Sequence, residues 1–570
     1  MLPGPTGADG ETLTTTQARG RRGGVGSRRR RAAAFMSPTH GPVTLRRMSE
    51  DLTALAADAV AASTARTDPD YPLVHLAPPV GRLNDPNGLL VDGATYHAFY
   101  QLSPFHPHRK LVYWGHATST DLLTWTQHEP AIVPDSSYDR SGAYSGTAVV
   151  LEGDEVDAAP AGAPYQLFYT GNLKEPVTDH RTPSQCLVTS PDLVSFNKWP
   201  GNPLVPDHLP GYTPHFRDPQ VWRNSERPGE YRMLVGAQHE DLTGAAVLLR
   251  SRDLLRWEPQ GELSFPDAAG AMDALGYMWE CPSIVRLTDE ADGEDYDVLL
   301  LCPQGMEPAG EGFENVFPAC YAVGHLVGTE LRGCDGTVRE IDRGTEFYAP
   351  QVFARRPSEP GPPLLMAWAG NAGEDDQPSI GTGGWVHAMT APRVLSLRCG
   401  RLIQRLAVAV PDDARLALPG HALATEPTPV PELEGHRSWH LVLELAAPVG
   451  GSAGTPAARS RLTLRIGSET CHVDVVLELG EEPALVVDRS TSRYTGHGAR
   501  RRVSLPEGTA PRIEVLHDRS ITEVVVGDGD VALTVRSFVD TRSTGALLSA
   551  DGATRVRSAR AVVHDEKPTG

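Results

Sequence analysis

Three short motifs place carboxylates where they are suited to acid–base and nucleophilic work: Asn84-Asp85-Pro86-Asn87-Gly88, Arg217-Asp218-Pro219 and Glu280-Cys281-Pro282. Taken singly, the first two are good turn sequences, with Asp before Pro. Taken together they supply what hydrolysis of a glycosidic bond needs: one carboxyl to attack, another to protonate the leaving oxygen. Asp85, preceded by Asn84 and held by Pro86, is the expected nucleophile. Glu280 is the expected acid/base, because its chain neighbours Met278, Trp279, Cys281 and Pro282 are mostly apolar. Desolvation there, with an Asp85 anion nearby, would keep a proton available near neutrality. Asp218 adjoins Arg217 and is expected to stay ionised, which suits hydroxyl binding and stabilisation of a cationic transition state. Three acids in one place repel one another, an arrangement that is costly unless function requires it.

A repeat must bring these motifs together. Five strand-like runs, at residues 96–101, 165–171, 231–237, 296–303 and 363–370, start roughly 65–69 residues apart. A second repeat, Ser-x-Asp-Leu-x-x-aromatic, ends at Trp125, Phe196 and Trp257. Such a period, with β-rich content and Gly/Asp turns, predicts an all-β fold with a five-bladed β-propeller over residues 71–408. Asp85, Tyr144-Ser145-Gly146, Asp218, Glu280 and Tyr348 each precede one of the runs by a similar interval, one strand earlier. The first strand of a propeller blade lines the central axis, so these residues are expected to converge on one funnel.

The other segments are simpler. Residues 409–436 contain Pro411, Pro419, Pro427, Pro429 and Pro431 and read as a linker. Residues 437–560 alternate apolar and polar positions between hairpin turns, which predicts a β-sandwich. Residues 561–570 read as a frayed tail. Residues 51–66 predict a short helix capped by Ser49 or Asp51, and residues 1–70 as a whole read as a disordered Arg-rich leader ending in that helix. Net charge is −20, and the acidic body argues against nucleic acid and anionic membrane as partners. No run approaches a membrane span or a secretory apolar core. The seven cysteines fall in no metal-ligand spacing, so free thiols and a cytoplasmic protein are expected. No metal or organic cofactor is implied, and the sequence carries no sign of oligomeric state.

Further motifs accompany the acids: Phe99-Tyr-Gln101, Trp114-Gly-His116, Tyr144-Ser-Gly146, Trp279-Glu-Cys-Pro282, Phe347-Tyr-Ala-Pro-Gln351 and Gly384-Trp-Val-His-Ala-Met-Thr390. With Asn84-Asp-Pro-Asn-Gly88 and Arg217-Asp-Pro219, this ordered set resembles glycoside hydrolase family 32, the β-fructofuranosidases, over about residues 72–408. His517-Asp-Arg-Ser-Ile-Thr-Glu523 resembles that family's sandwich signature. The resemblance implies a propeller plus sandwich and a retaining mechanism through a fructosyl-enzyme. It also implies the same roles for Asp85, Asp218 and Glu280. Leu83, Asn84, Gln101, Trp114, Tyr144, Ser145 and Arg217 match positions that hold the fructosyl unit, with Trp114 equally suited to the core. The implied substrate is a saccharide, sucrose or its 6-phosphate; fructan exo-hydrolysis or fructosyl transfer on the same fold is the alternative, ahead of non-catalytic sugar binding. An inverting five-bladed glycosidase for arabinosides or xylosides is a further reading. Two departures fall at the expected rim: Arg82 in place of an aromatic residue, and the altered His- and Pro-rich segment 102–113. Arg82, His106, His108, Arg109 and Lys110 offer a cationic rim for a phosphate, although a solvated loop explains them more simply.

Overall fold

The computed structural model describes residues 42–564 apart from 179, 309–310, 373–375, 417, 419–422, 447–459 and 552–553. The Arg-rich leader up to residue 41 and the tail from 565 lie outside the described residues. The molecule is all-β, with strands in two units and few helices.

The first unit holds five antiparallel sheets among the described residues. Their first strands are Gly81–Asp92, Ala143–Val150, Tyr212–Arg223, Met278–Thr288 and Tyr348–Val352. Each is followed by a hairpin partner: Thr95–Ser103, Tyr165–Lys174, Tyr231–His239, Asp295–Gln304 and Leu364–Ala369. These second strands are the repeated runs read from the sequence. They are nearly continuous in apolar residues because most of their length is buried on both faces, as in Tyr231–His239 and Leu364–Ala369.

The five first strands touch in a closed cycle, each against the next and the fifth against the first. Apart from a backbone bridge between Leu90 and Ala354, where Val91 N–H donates to Ala354 O (2.9 Å) and Ala354 N–H to Leu89 O (2.8 Å), side chains satisfy the backbone groups where these first strands meet. Gln351 Nε2 donates to the carbonyls of Gly146 (3.0 Å) and Pro86 (3.4 Å), and its Oε1 accepts from Leu89 N–H (3.0 Å). Thr147 donates to Pro219 O and accepts from Val221 N–H, both at 3.0 Å. Gln220 Nε2 donates to Ile284 O (2.9 Å), and its Oε1 accepts from Ile284 N–H (2.7 Å). Trp385–Val386, from the far end of the unit, pairs in parallel with Gly81 and Arg82 and closes the cycle.

Every first-strand ladder is interrupted at its motif. The register breaks between Leu83 and Pro86, Ala143 and Gly146, Glu280 and Ser283, and Tyr348 and Gln351, and opposite Arg217–Gln220 in the third sheet. A bulge leaves residues out of the ladder and re-aims their side chains. It also tolerates proline, which has no N–H to contribute. That explains why an acid and a proline recur together at Asp85-Pro86, Asp218-Pro219 and Glu280-Cys281-Pro282.

The second unit packs a six-stranded sheet against a five-stranded one over an apolar core. Its strands alternate, Ser460–Gly467 being the clearest case. Three sequence expectations are corrected here. Leu416, Val430 and Leu433, from the expected linker, belong to this core, and Thr428–Pro429 pairs with Leu547 and Leu548. The last strand, Val556–Val563, reaches into the interval read as frayed. The helix near the start is also longer than expected: it runs Pro42–Ala61, so Ser49 and Asp51 lie within it rather than at its start.

The units are joined through buried charge. Asp518 accepts from the N–H groups of Leu73, Val74 and His75, at 2.9, 2.9 and 3.0 Å. His75 bridges Asp518 (2.9 Å) and Glu523 (3.1 Å), and Arg393 bridges Glu523 (2.5 Å) and Asp342 (2.9 Å).

Candidate active site

The Asp85, Asp218 and Glu280 bulges face one another across the cycle of first strands. Asp85 Oδ2 accepts from Ser145 Oγ (2.5 Å) and Gln101 Nε2 (3.1 Å), while among the described residues Oδ1 accepts only from Asn84 Nδ2 (3.2 Å). Asn84 is itself anchored, donating to Gln101 Oε1 (2.7 Å) and accepting from Arg82 (2.9 Å). Burial pushes the Asp85 pKa up; the Ser145 hydrogen bond opposes this, and the Glu280 charge reinforces it.

Asp218 takes a left-handed backbone conformation (φ 67°), and its N–H donates to Thr170 Oγ1 at 3.0 Å. Its carboxylate accepts from Cys281 N–H at 3.0 Å. The Cys281 thiol lies between two acids, 3.7 Å from Asp218 Oδ2 and 3.9 Å from Asp85 Oδ2. That places Glu280, one residue earlier, in the same cluster.

Glu280 is ringed by donors: Arg217 (2.6 Å) and Tyr348 Oη (2.6 Å), one on each carboxylate oxygen, with Gln304 Nε2 (2.7 Å) beside Tyr348. The apolar surroundings expected from its chain neighbours are therefore not its actual surroundings. Successive strand residues point to opposite faces, and Trp279 turns away to donate to Leu275 O (2.6 Å).

Arg217 also differs from expectation. It pairs with Glu280, and its Nε stands 3.9 Å from Asp218. Asp218 is consequently not held in the ordinary carboxylate range. Burial raises its pKa to about 7, with Arg217 opposing and the Glu280 and Asp85 charges adding to the rise. Low dielectric and two like charges outweigh one cation that is engaged elsewhere.

Of the other expected site residues, Asn84, Gln101 and Ser145 are brought directly onto Asp85. Tyr144 is half-buried and lies near Arg217. Trp114 and Leu83 are not at the site surface. Both are 0% exposed; Trp114 packs on Phe99 and Tyr169 and donates to Tyr144 O (2.9 Å), so it fixes the Tyr144 backbone and cannot reach a substrate. Arg82 is likewise buried, its guanidinium 5.1 Å from the Trp368 ring centre, and is no part of an exposed cationic rim. The reading of the acids missed Gln304 and Tyr348 as partners of Glu280. Tyr348 stood at the equivalent place in the fifth repeat and was legible from that alone. Among the described residues, no group of three or more His, Cys, Asp or Glu is placed to hold a metal ion.

A buried cluster of carboxylates within a ring of β-sheets is the kind of arrangement that glycosidases use. Residues 75–405 match the glycosyl hydrolases family 32 N-terminal domain. The chain is 33% identical over 491 residues to the sucrose-6-phosphate hydrolase of Bacillus subtilis, covering 83% of this chain and 90% of that one. Two solved structures superpose on it. The sucrose-6-phosphate hydrolase of Lactobacillus gasseri is 26% identical, with a TM-score of 0.69, and the match covers 91% of this chain and 96% of that one. A variant of the Bombyx mori GH32 beta-fructofuranosidase in complex with sucrose is 25% identical, also with a TM-score of 0.69, covering 90% and 97%. The chain belongs to glycoside hydrolase family 32, and its fold is the β-propeller plus β-sandwich of that family.

Proposed function

We propose that this protein is a retaining β-fructofuranosidase that removes the terminal β-fructofuranosyl unit of sucrose or sucrose 6-phosphate. The five sheets of residues 71–408 are read as five blades whose first strands line the funnel. The observation that carries the reading is the unequal treatment of the acids. Asp85 is gripped at Oδ2 by Ser145 and Gln101, leaving Oδ1 with one long hydrogen bond. That oxygen is the one free to attack the anomeric carbon.

Glu280 then serves as acid, protonating the glycosidic oxygen as Asp85 attacks, and as base, activating the water that releases fructose. Tyr348, Gln304 and Arg217 fix its orientation, and the Arg217 cation stabilises the carboxylate left after proton transfer. Asp218 lies across from both and accepts hydroxyls of the fructosyl ring, stabilising the oxocarbenium-like charge as it develops. The names of the relatives support the substrate class: sucrose-6-phosphate hydrolases and a β-fructofuranosidase with sucrose bound. Seven free cysteines support a reducing, cytoplasmic setting, and no helix among the described residues is long and apolar enough to cross a membrane.

NMR of the first-formed fructose anomer tests the mechanism. Retention supports a fructosyl-Asp85 intermediate, and inversion rules it out. Fructose release from sucrose and from its 6-phosphate, measured side by side, ranks the two substrates.

A further inference from the structure

We infer that Tyr277 is the platform on which the leaving-group sugar stacks, and thus a specificity-determining residue for the reaction proposed above. The inference depends on Glu280 being the acid/base. Tyr277 immediately precedes the Glu280 strand and is 39% exposed, while its neighbours Met278 and Trp279 are buried. Its backbone is held on both sides of the ring. Its N–H donates to Gln304 O (2.7 Å), and its carbonyl accepts from Gln238 Nε2 (2.8 Å).

The ring lies across Gly305. A Cβ on that residue would stand 2.4 Å from Tyr277 Cδ1 and 2.7 Å from Cε1, and Gly305 has a φ of +79°. Both the contact and the backbone conformation require glycine. Gln304, one residue earlier, donates its side chain to Glu280 Oε2 (2.7 Å). The aromatic face and the acid are therefore set by the same two residues, Gln304 and Gly305.

The Tyr277 hydroxyl also lies within the field of the site. Burial and then the Glu280 charge raise its pKa, and Arg217 opposes them. A partly exposed aromatic face packed on Gly305, next to the Gln304 that holds Glu280, suits the apolar C–H face of a hexopyranose. A small alkyl leaving group would gain nothing from it.

The test compares kcat/KM on sucrose and on methyl β-D-fructofuranoside for the parent enzyme, Tyr277→Ala, Tyr277→Phe and Glu280→Gln. Tyr277→Ala is expected to lose about tenfold on sucrose and to stay within about twofold on the methyl fructoside. Tyr277→Phe, which keeps the ring, is expected to stay near the parent on both. Equal losses of Tyr277→Ala on the two substrates, or no loss on sucrose, overturn the platform. Glu280→Gln is expected to fall steeply on both; if it does not, the reading of Glu280 fails, and that outcome is distinct from a failure confined to Tyr277→Ala.

Discussion

Two clusters of buried charge lie in this molecule, and they are built on opposite rules. At the join between the units, His75, Arg393, Asp518, Glu523 and Asp342 alternate in sign, and each acid has a cation within 3.1 Å. At the funnel, Arg217 pairs with Glu280 and stands 3.9 Å from Asp218, while Asp85 is held by the neutral donors Ser145, Gln101 and Asn84 with only a weak opposing influence from Arg82. The protons respond accordingly. At the join, burial is overcome: Arg393 and His75 lower Glu523 to about 2, and the His75 hydrogen bond and charge, with Ser438 and Leu73, lower Asp518 as well. Burial would lower His75, but Asp518 and Glu523 carry it up to about 9. At the funnel, burial and like charge instead raise Asp85 and lift Asp218 to about 7. The join is arranged for cohesion, whereas the funnel holds acids in a state they would leave if they could, which is what a reacting group requires.

Substitutions separate the two clusters. The largest effect belongs to the funnel: Asp85→Asn and Glu280→Gln should cut sucrose hydrolysis by roughly 10²–10⁴-fold or more. The thermal unfolding temperature of Asp85→Asn should stay level or rise, since it removes a buried like charge, whereas Glu280→Gln gives up the ion pair with Arg217 and should unfold at a lower temperature. A parent-like rate for either would undo the assignment. Next comes the join. Asp518→Ala should cost about 3–5 kcal/mol in chemical denaturation, because it strands His75 and three backbone donors, with the rate per folded molecule unchanged. A third effect is set by pH. Asp85 must be ionised to attack and its pKa is raised, so the acid limb of kcat/KM should lie above the ordinary carboxylate range of about 4.

Stability should depend on pH in opposite ways in the two regions. Asp218 has a raised folded-state pKa, so its contribution is present below its unfolded value and is lost as pH rises through about 7. Glu523 is depressed, so its contribution is present above its unfolded value and is lost as pH falls through about 2. His75 contributes below its unfolded value and loses that contribution as pH rises through about 9. Asp218→Asn should therefore gain stability over the parent above pH 7 and gain little at pH 4, in denaturation curves run at both. The smallest effect is at Trp114: Trp114→Phe should lower stability by about 1–3 kcal/mol while leaving KM for sucrose near the parent value.

Much of this was legible in the sequence because a repeat converts distance along the chain into shared position. The spacing of residues 96–101 and their echoes located the second strands, and the motifs one strand earlier fell on the first. Pairing was less legible. Arg217 and Asp218 are adjacent, but a strand points adjacent side chains apart, and the left-handed turn at Asp218 widens the gap. Glu280 has apolar chain neighbours, yet its actual company comes from Gln304 on the next strand and Tyr348 in another sheet. Leu83 and Trp114 share motifs with site residues and still face the core, because motif membership does not say which face a side chain takes. The proline-rich stretch before the sandwich read as a linker because composition cannot register that Val430 and Leu433 are packed inside.

The interrupted ladders leave the chemistry mechanically separate from the frame that carries it. Since the residues at each of the five breaks owe little to strand pairing, they can be exchanged without shifting the register of the hairpins behind them. A scaffold of this kind behaves like a ring of interchangeable sockets, in which new reactivity or a new sugar preference can be installed one socket at a time while the remainder stays seated.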